Sequence, residues 1–196
     1  MFPYSLFYVY FDQYFTIRGI AAQAILLSCG CVYLVLLLVK NVQTALIVFL
    51  CVFSITMDLI GCSYLLNNMI SGTYLTLGWE IQFNAVSVVN IITAIGLSVE
   101  FCVHVMMFFL KARGDRDAKV TSSLTTIGSS VLTGIIFTKF LGVVVLAFAS
   151  STLFRLYYFR MYILIVFIGF FHGMMFLPVL LSYIGPVNPR KSSSFA

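Results

Sequence analysis

The sequence predicts an all-α, polytopic membrane protein with five transmembrane helices. Three observations predict it. Hydrophobic residues make up 62% of the chain and charged residues only 9%, where soluble domains carry roughly a quarter charged. Mean hydropathy is +1.09, so the chain cannot cover a globule with polar surface and a bilayer must serve as its solvent. The apolar residues also fall into five runs close to the about 20 residues a spanning helix needs. The runs lack the alternation of a barrel strand, and in lipid they satisfy their backbone only as helices.

Residues 1–20, from MFPYSLFYVYFDQYFTIR onward, are expected to form a lumenal or interfacial lead-in. They are aromatic, as interfacial segments are, and lack the basic start and small-residue cleavage site of a signal peptide. The five spans are expected at 21–39, 45–66, 86–110, 124–149 and 162–184, a bundle of 21–184. KNVQT joins the first two and NNMISGTYLTLGWEIQFN the next pair. KARGDRDAK and SSTLFRLYYFR make the last two connections, and residues 185–196 form a cytosolic tail. The length of 196 residues is that of one domain.

Basic residues orient the spans. Lys40, Lys111, Arg113, Arg116, Lys119, Arg190 and Lys191 fall on one side, and Arg18, Arg155 and Arg160 on the other. Cytoplasmic loops carry the excess of Lys and Arg, which puts the C-terminus in the cytosol. With an odd number of spans the N-terminus is then lumenal or extracellular. That arrangement needs an upstream segment to deliver it, so the chain is expected to be the C-terminal part of a larger protein. The net charge of +5 marks no nucleic-acid partner, because the basic residues sit at the ends of apolar runs. The five cysteines, Cys29, Cys31, Cys51, Cys62 and Cys102, lie inside apolar runs at spacings of neither a zinc site nor a disulfide framework. They are expected to be small buried hydrophobes.

Five ionisable groups sit inside the spans: Asp58, Glu100, His104, Lys139 and His172. An unpaired charge at the bilayer centre costs at least about 2.5–3.5 kcal/mol, so each must find a partner, water or the bundle interior. The third span carries the densest polar stripe. At about 100° per residue, Asn90, Thr93, Gly96, Glu100 and His104 share one face. Gly96, one turn before the acid, offers a place for another helix to approach. Glu100 and His104 form a candidate proton relay, since a change of protonation adds or removes a charge in the membrane. The alternative is a structural hydrogen bond pinning two helices.

Lys139 needs an anion. Taking a rise of about 1.5 Å per residue, Lys139 lies roughly 15 Å below the lumenal edge, Asp58 roughly 12 Å and Glu100 roughly 21 Å. Depth makes Asp58–Lys139 the candidate intramembrane ion pair, with Glu100 the next acid; the alternative is a lysine that snorkels. Ser130, Gly134, Thr138 and Gly142 make a ladder of small residues expected to pack tightly. His172 is expected to bond a backbone carbonyl, and Pro178 to kink the last span.

These stretches also carry a resemblance. FNAVSVVNIITAIGLSVEFCVH, GSSVLTGIIFTKFLGVVVLAFA, YYFRMY and HGMMFLPVLLSYIGP resemble the Niemann–Pick C sterol-transporter family, and the likeness covers nearly the whole chain. Patched and Dispatched proteins look like more distant relatives. The resemblance implies a resistance–nodulation–division permease fold, with this chain forming the last five helices of the second half. It implies a G-x-x-x-E-x-x-x-H motif at Gly96, Glu100 and His104 that serves proton coupling. It further implies a sterol as cargo, in the late endosome, the lysosome or the cell surface. The expected partners are the membrane, the missing N-terminal half and a soluble lumenal sterol carrier. The rival functions are a sterol-responsive receptor or scaffold of the Patched type, and a fragment inert without its other half.

No enzyme is expected. The order E-x-x-x-H is not H-E-x-x-H and has no third ligand, and no G-x-S-x-G elbow occurs. No metal or cofactor is implied.

Overall fold

A computed structural model describes residues 7–39, 41–71 and 84–186, and every regular element within them is helical. The order is α1 (Tyr8–Val39), α2 (Val42–Ser71), α3 (Ala85–Lys111) and α4 (Arg116–Ala147). The chain then forms a π-helical segment (Phe154–Phe159), α5 (Arg160–Phe171), a second π-helical segment (His172–Phe176) and α6 (Leu177–Ile184).

Among the described residues, four stretches are long and apolar enough to cross a membrane, where five were expected: Phe15–Leu38, Val42–Leu66, Ala85–Lys111 and Phe154–Ile184. The expected span at 124–149 falls in α4. The apolar stretch there, among the described residues, is the shorter Phe137–Ala147. Near the start of α4, Thr121, Ser123 and Thr125 each bond back to a carbonyl of their own helix. The last span starts earlier than expected, because most of SSTLFRLYYFR is helical rather than a loop. At the other end α1 runs without a break through the stretch expected as a lead-in. The expected tail, apart from Gly185 and Pro186, lies outside the described residues.

Helix α3 is the centre of the bundle and touches α1, α2, α4, α5 and α6. Its start is fixed by Asn84, whose side chain accepts from the Ser87 backbone N–H at 3.0 Å, satisfying an N–H that would otherwise lack a partner. Its end turns at Ala112, and Gly114 takes a φ of 122°, a conformation glycine adopts at little cost. The turn sends α4 back along α3.

The main core packs Ala45, Val48, Cys51, Val52 and Ile55 of α2 against Ile95, Cys102, Val105, Met106 and Phe109 of α3, with Leu177 and Leu181 of α6 closing one end. Cys51 and Cys102 bring their Sγ atoms to 3.3 Å. All five cysteines are free; Cys29 is also buried, Cys62 is half-buried and Cys31 is exposed, against the expectation of uniform burial. A second cluster joins Leu59, Ile91 and Ala94 to Met161 and Ile165 of α5. Buried hydroxyls return to their own helix, Thr56 to Val52 O and Ser98 to Ala94 O, as hydrocarbon demands.

The last span owes its irregularity to identifiable residues. Pro178 has no N–H and its ring crowds the carbonyl four residues back. The preceding turn widens, and the Leu177 N–H reaches five residues back to the His172 carbonyl. This is the expected disturbance at Pro178, taken up as a wider turn. In the first π-helical segment the Tyr157 carbonyl accepts from Nδ2 of Asn90 at 3.2 Å. Asn90 is completely buried, so a polar side chain of α3 ties the last span in place. At the opposite end, three residues gather the final carbonyls. Gln43 donates to Ile184 O at 3.0 Å, Arg116 to Tyr183 O at 2.9 Å and Lys119 to Pro186 O at 3.4 Å. Cations are favourable at a helix C-terminus, and Lys119 is almost wholly buried over the Phe109 ring.

Close helix approach occurs at Gly169. A Cβ built there would lie 2.9 Å from Cδ2 of Phe101, whereas one at Gly173 would lie 3.4 Å from the Phe101 Cβ and one at Gly96 would meet nothing within 4 Å. Gly169→Ala is therefore expected to cost about 1–3 kcal/mol by overpacking. Gly173→Ala should cost less, and Gly96→Ala should leave this chain's stability unchanged. Thermal unfolding of the three variants in lipid nanodiscs checks the ranking.

Candidate functional site

The ionisable groups separate into two clusters. In the first, Lys139 of α4 places its Nζ 2.5 Å from Oε2 of Glu100 on α3. The ammonium also stands over the Phe101 ring, 5.3 Å from its centroid, where the negative face of the ring adds attraction. The lysine side chain is 15% exposed and that of Glu100 44%. The cation is thus enclosed between two helices while the acid looks out of the bundle.

The candidate pair Asp58–Lys139 is corrected by this geometry. Lys139 takes the acid ranked second by depth, because its long flexible stem spans the difference in height that the rise per residue suggests. Asp58 is held elsewhere. Its Oδ2 lies 2.9 Å from Nε2 of His172, and these two, with Ser54, form the second cluster. Oγ of Ser54 is 3.3 Å from the same nitrogen, and Nδ1 of His172 is 3.1 Å from the Ile168 carbonyl. The carbonyl bond is the one expected of His172; the acid was not foreseen.

The polar stripe of α3 divides along its edge. Asn90 turns inward to Tyr157 and Thr93 bonds back to Val89 O. Gly96, Glu100 and His104 stay on an exposed face. His104 has no hydrogen-bond or ion-pair partner among the described residues, and Glu100 is engaged by Lys139. Gly96 has no described helix over it, so the approach expected there is made at Gly169 instead. The small-residue ladder of α4 gives a similar result. A Cβ at Gly134 or Gly142 would meet nothing within 4 Å, Thr138 bonds back to Gly134 O at 2.6 Å, and the side chain of Ser130 lies outside the described residues.

Beside Lys139 a cavity of about 220 Å³ opens between α3, α4 and α5, bordered by Leu97, Phe101, Gly142, Tyr162 and Ile165. Pockets that enclose a drug-sized ligand run to about 300–1,000 Å³. This one is smaller and almost wholly apolar, so it isolates the ion pair more readily than it encloses a whole amphiphile. Phe101, which floors the ammonium, Ser54 and Tyr157 are the contributors that residue-type reasoning missed. Only Ser54, one helical turn before Asp58, left a signal in the spacing. Among the described residues, no group of His, Cys, Asp and Glu is arranged to hold a metal.

No family model matches the chain. Individual relatives do. It is 44% identical over 194 residues to NPC intracellular cholesterol transporter 1 of Sus scrofa, covering 98% of this chain and 14% of that protein. It is 39% identical over 198 residues to NPC intracellular cholesterol transporter 1 homolog 1b of Drosophila melanogaster, covering all of this chain and 15% of that protein. Protein patched homolog 1 of Caenorhabditis elegans is 34% identical over 188 residues, 94% of this chain and 12% of that protein. The Patched match is as high in identity as the 34% to the NPC1-like intracellular cholesterol transporter 1 of Mus musculus. The chain spans about one seventh of the length of the curated relatives it matches. With these identities over nearly its whole length and its membrane-length apolar helices, this integral membrane chain belongs to the Niemann–Pick C and Patched family.

Proposed function

We propose that the chain forms part of the membrane bundle of a sterol transporter and that Glu100, held by Lys139 and followed by His104, couples transport to protons. The observation that carries this reading is the contact between Lys139 and Glu100, with the acid exposed on one face of α3 and the cation enclosed. Protonating Glu100 removes the anion that Lys139 needs. The ammonium would then stand unpaired in hydrocarbon at a cost of about 2.5–3.5 kcal/mol or more. A proton arriving at the acid therefore favours a different placement of α4 against α3, which is the linkage a proton-driven permease requires. His104, one turn further on the same face, is placed to relay that proton.

The names of the relatives support the cargo: three of the proteins described above are called cholesterol transporters. In this reading a complementary first half faces the exposed side of α3, and a soluble lumenal carrier exchanges sterol with the assembly. The C-terminus is cytosolic and the N-terminus lumenal, by the distribution of basic residues. The membrane is that of the late endosome and lysosome, or the cell surface. A second reading, a sterol-responsive receptor, is favoured by the Patched match; it differs in predicting activity indifferent to a proton gradient.

Glu100→Gln in the full-length protein is expected to abolish gradient-dependent sterol transfer between proteoliposomes while leaving helix content unchanged. Transfer that persists at the original rate in this variant rules out the coupling role. Transfer by the unmodified protein that ignores the gradient favours the receptor reading. Reversing the pair gives an independent check. Glu100→Lys and Lys139→Glu should each destabilise the bundle by about 2.5–3.5 kcal/mol through an uncompensated charge. The double variant should recover most of that loss, measured by thermal unfolding in nanodiscs.

A further inference from the structure

We infer that His172, Asp58 and Ser54 form a second proton-binding site, in which one bound proton clamps α2 to the last span. The site is independent of Glu100, Lys139 and His104, and it stands or falls separately from the coupling role given to them.

The hydrogen bonds fix most of the proton positions. Nδ1 of His172 lies 3.1 Å from the Ile168 carbonyl. A carbonyl only accepts, so Nδ1 carries a hydrogen. That leaves Nε2 facing Oδ2 of Asp58 at 2.9 Å and Oγ of Ser54 at 3.3 Å. Two bare acceptors at 2.9 Å repel, so the contact with Asp58 requires one proton between them. It makes either an imidazolium donating to a carboxylate or a carboxyl donating to the imidazole. Release of that proton to water leaves a carboxylate opposite a lone pair. The neutral ring then has another donor at hand, because the Ser54 hydroxyl can turn its hydrogen to Nε2. Binding and release thus exchange an acid contact for a hydroxyl contact; the proton-bound pair is net neutral, and the released site carries the charge of the carboxylate.

The surroundings isolate the exchange. From α2 the ring is faced by Asp58 and Ser54. From α3 the neighbour is Phe101, which packs on Gly173, and the adjacent acid Glu100 is occupied by Lys139. The last span itself contributes the rings of Phe171 and Phe176, at 6.3 and 5.3 Å from the imidazole. No other charged group is bonded to His172 among the described residues. The histidine side chain is 11% exposed but that of Asp58 is 50% exposed, so the acid is the member of the pair that reaches the outer face of the described bundle.

The position on the fold gives the exchange something to move. His172 opens the π-helical segment, and its carbonyl receives the wide-turn hydrogen bond from Leu177. A wide turn of this kind is a local irregularity often found at functional sites. Tightening or loosening the clamp from Asp58 acts directly on the segment that offsets α6 from α5.

The chain has two histidines, so His104→Asn leaves His172 as the only imidazole. Nitrogen-15 spectra of histidine-labelled protein in nanodiscs, recorded from about pH 5 to 8, then report Nε2 of that one residue. A single transition is expected, with Nε2 protonated or hydrogen-bonded to an acid below it and accepting from the Ser54 hydroxyl above it. Asp58→Asn should move the transition acidward by at least about one pH unit, a tenfold loss of proton affinity, and Asp58→Glu should restore it. Ser54→Ala should move it in the opposite direction, because the released state loses its donor. An Nε2 signal unchanged throughout, or a transition unmoved by Asp58→Asn, overturns the site. A shift of the same sign in Ser54→Ala overturns the exchange.

Discussion

A charge in hydrocarbon has nowhere to spread its field, and the arrangement of α3 and α4 follows from that constraint. Lys139 lies in a run of aliphatic and aromatic residues, so α4 must present it to an anion. Glu100 is the anion within reach, and Phe101 lends its ring face beneath. The two helices are thereby fixed in rotation as well as in height. What remains exposed on α3 is a strip containing Gly96, Glu100 and His104. A strip that is small, acidic and imidazole-bearing is unsuited to lipid and well suited to another helical surface.

The last span shows how polar groups and proline shape a helix that must keep its backbone satisfied. Its two wide turns coincide with two ties to the rest of the bundle, Asn90 to Tyr157 and Asp58 to His172. In both places a side chain from another helix meets the span where its regular ladder is interrupted. Between them Gly169 lets Phe101 press against the backbone. The span is therefore registered against α2 and α3 by polar contacts at separate levels and by a ring between them.

Much of this was legible in the residues. The class followed from hydropathy alone, and α2 and α3 follow the expected runs because those runs are uninterrupted. The expected boundary failed at the start of the last span, where aromatics read as a connection. The identity of every charged residue needing a partner was readable, but not the pairing. Depth estimates treat side chains as points, whereas a lysine reaches across more than a helical turn. Asp58 and Lys139 matched in height and still separated, because His172 offered Asp58 a closer partner. The helix wheel grouped Asn90 with Gly96, Glu100 and His104, but Asn90 turned inward to the Tyr157 carbonyl. Packing glycines could not be ranked, since Gly96 and Gly169 have the same composition context and differ only in what stands opposite.

The grip on the final turn has a consequence for assembly. Gln43, Arg116 and Lys119 belong to segments made earlier, and their receptors Tyr183, Ile184 and Pro186 are synthesised after them. Until those carbonyls emerge, the Lys119 ammonium must stay hydrated outside its slot beneath Phe109, and α2 and α4 are not yet joined through the last helix. Closure at that edge is thus a late event in biogenesis. A chain lacking only the last turn of α6 would keep the earlier helices but leave their shared edge unlatched, with Gln43, Arg116 and Lys119 deprived of these carbonyls.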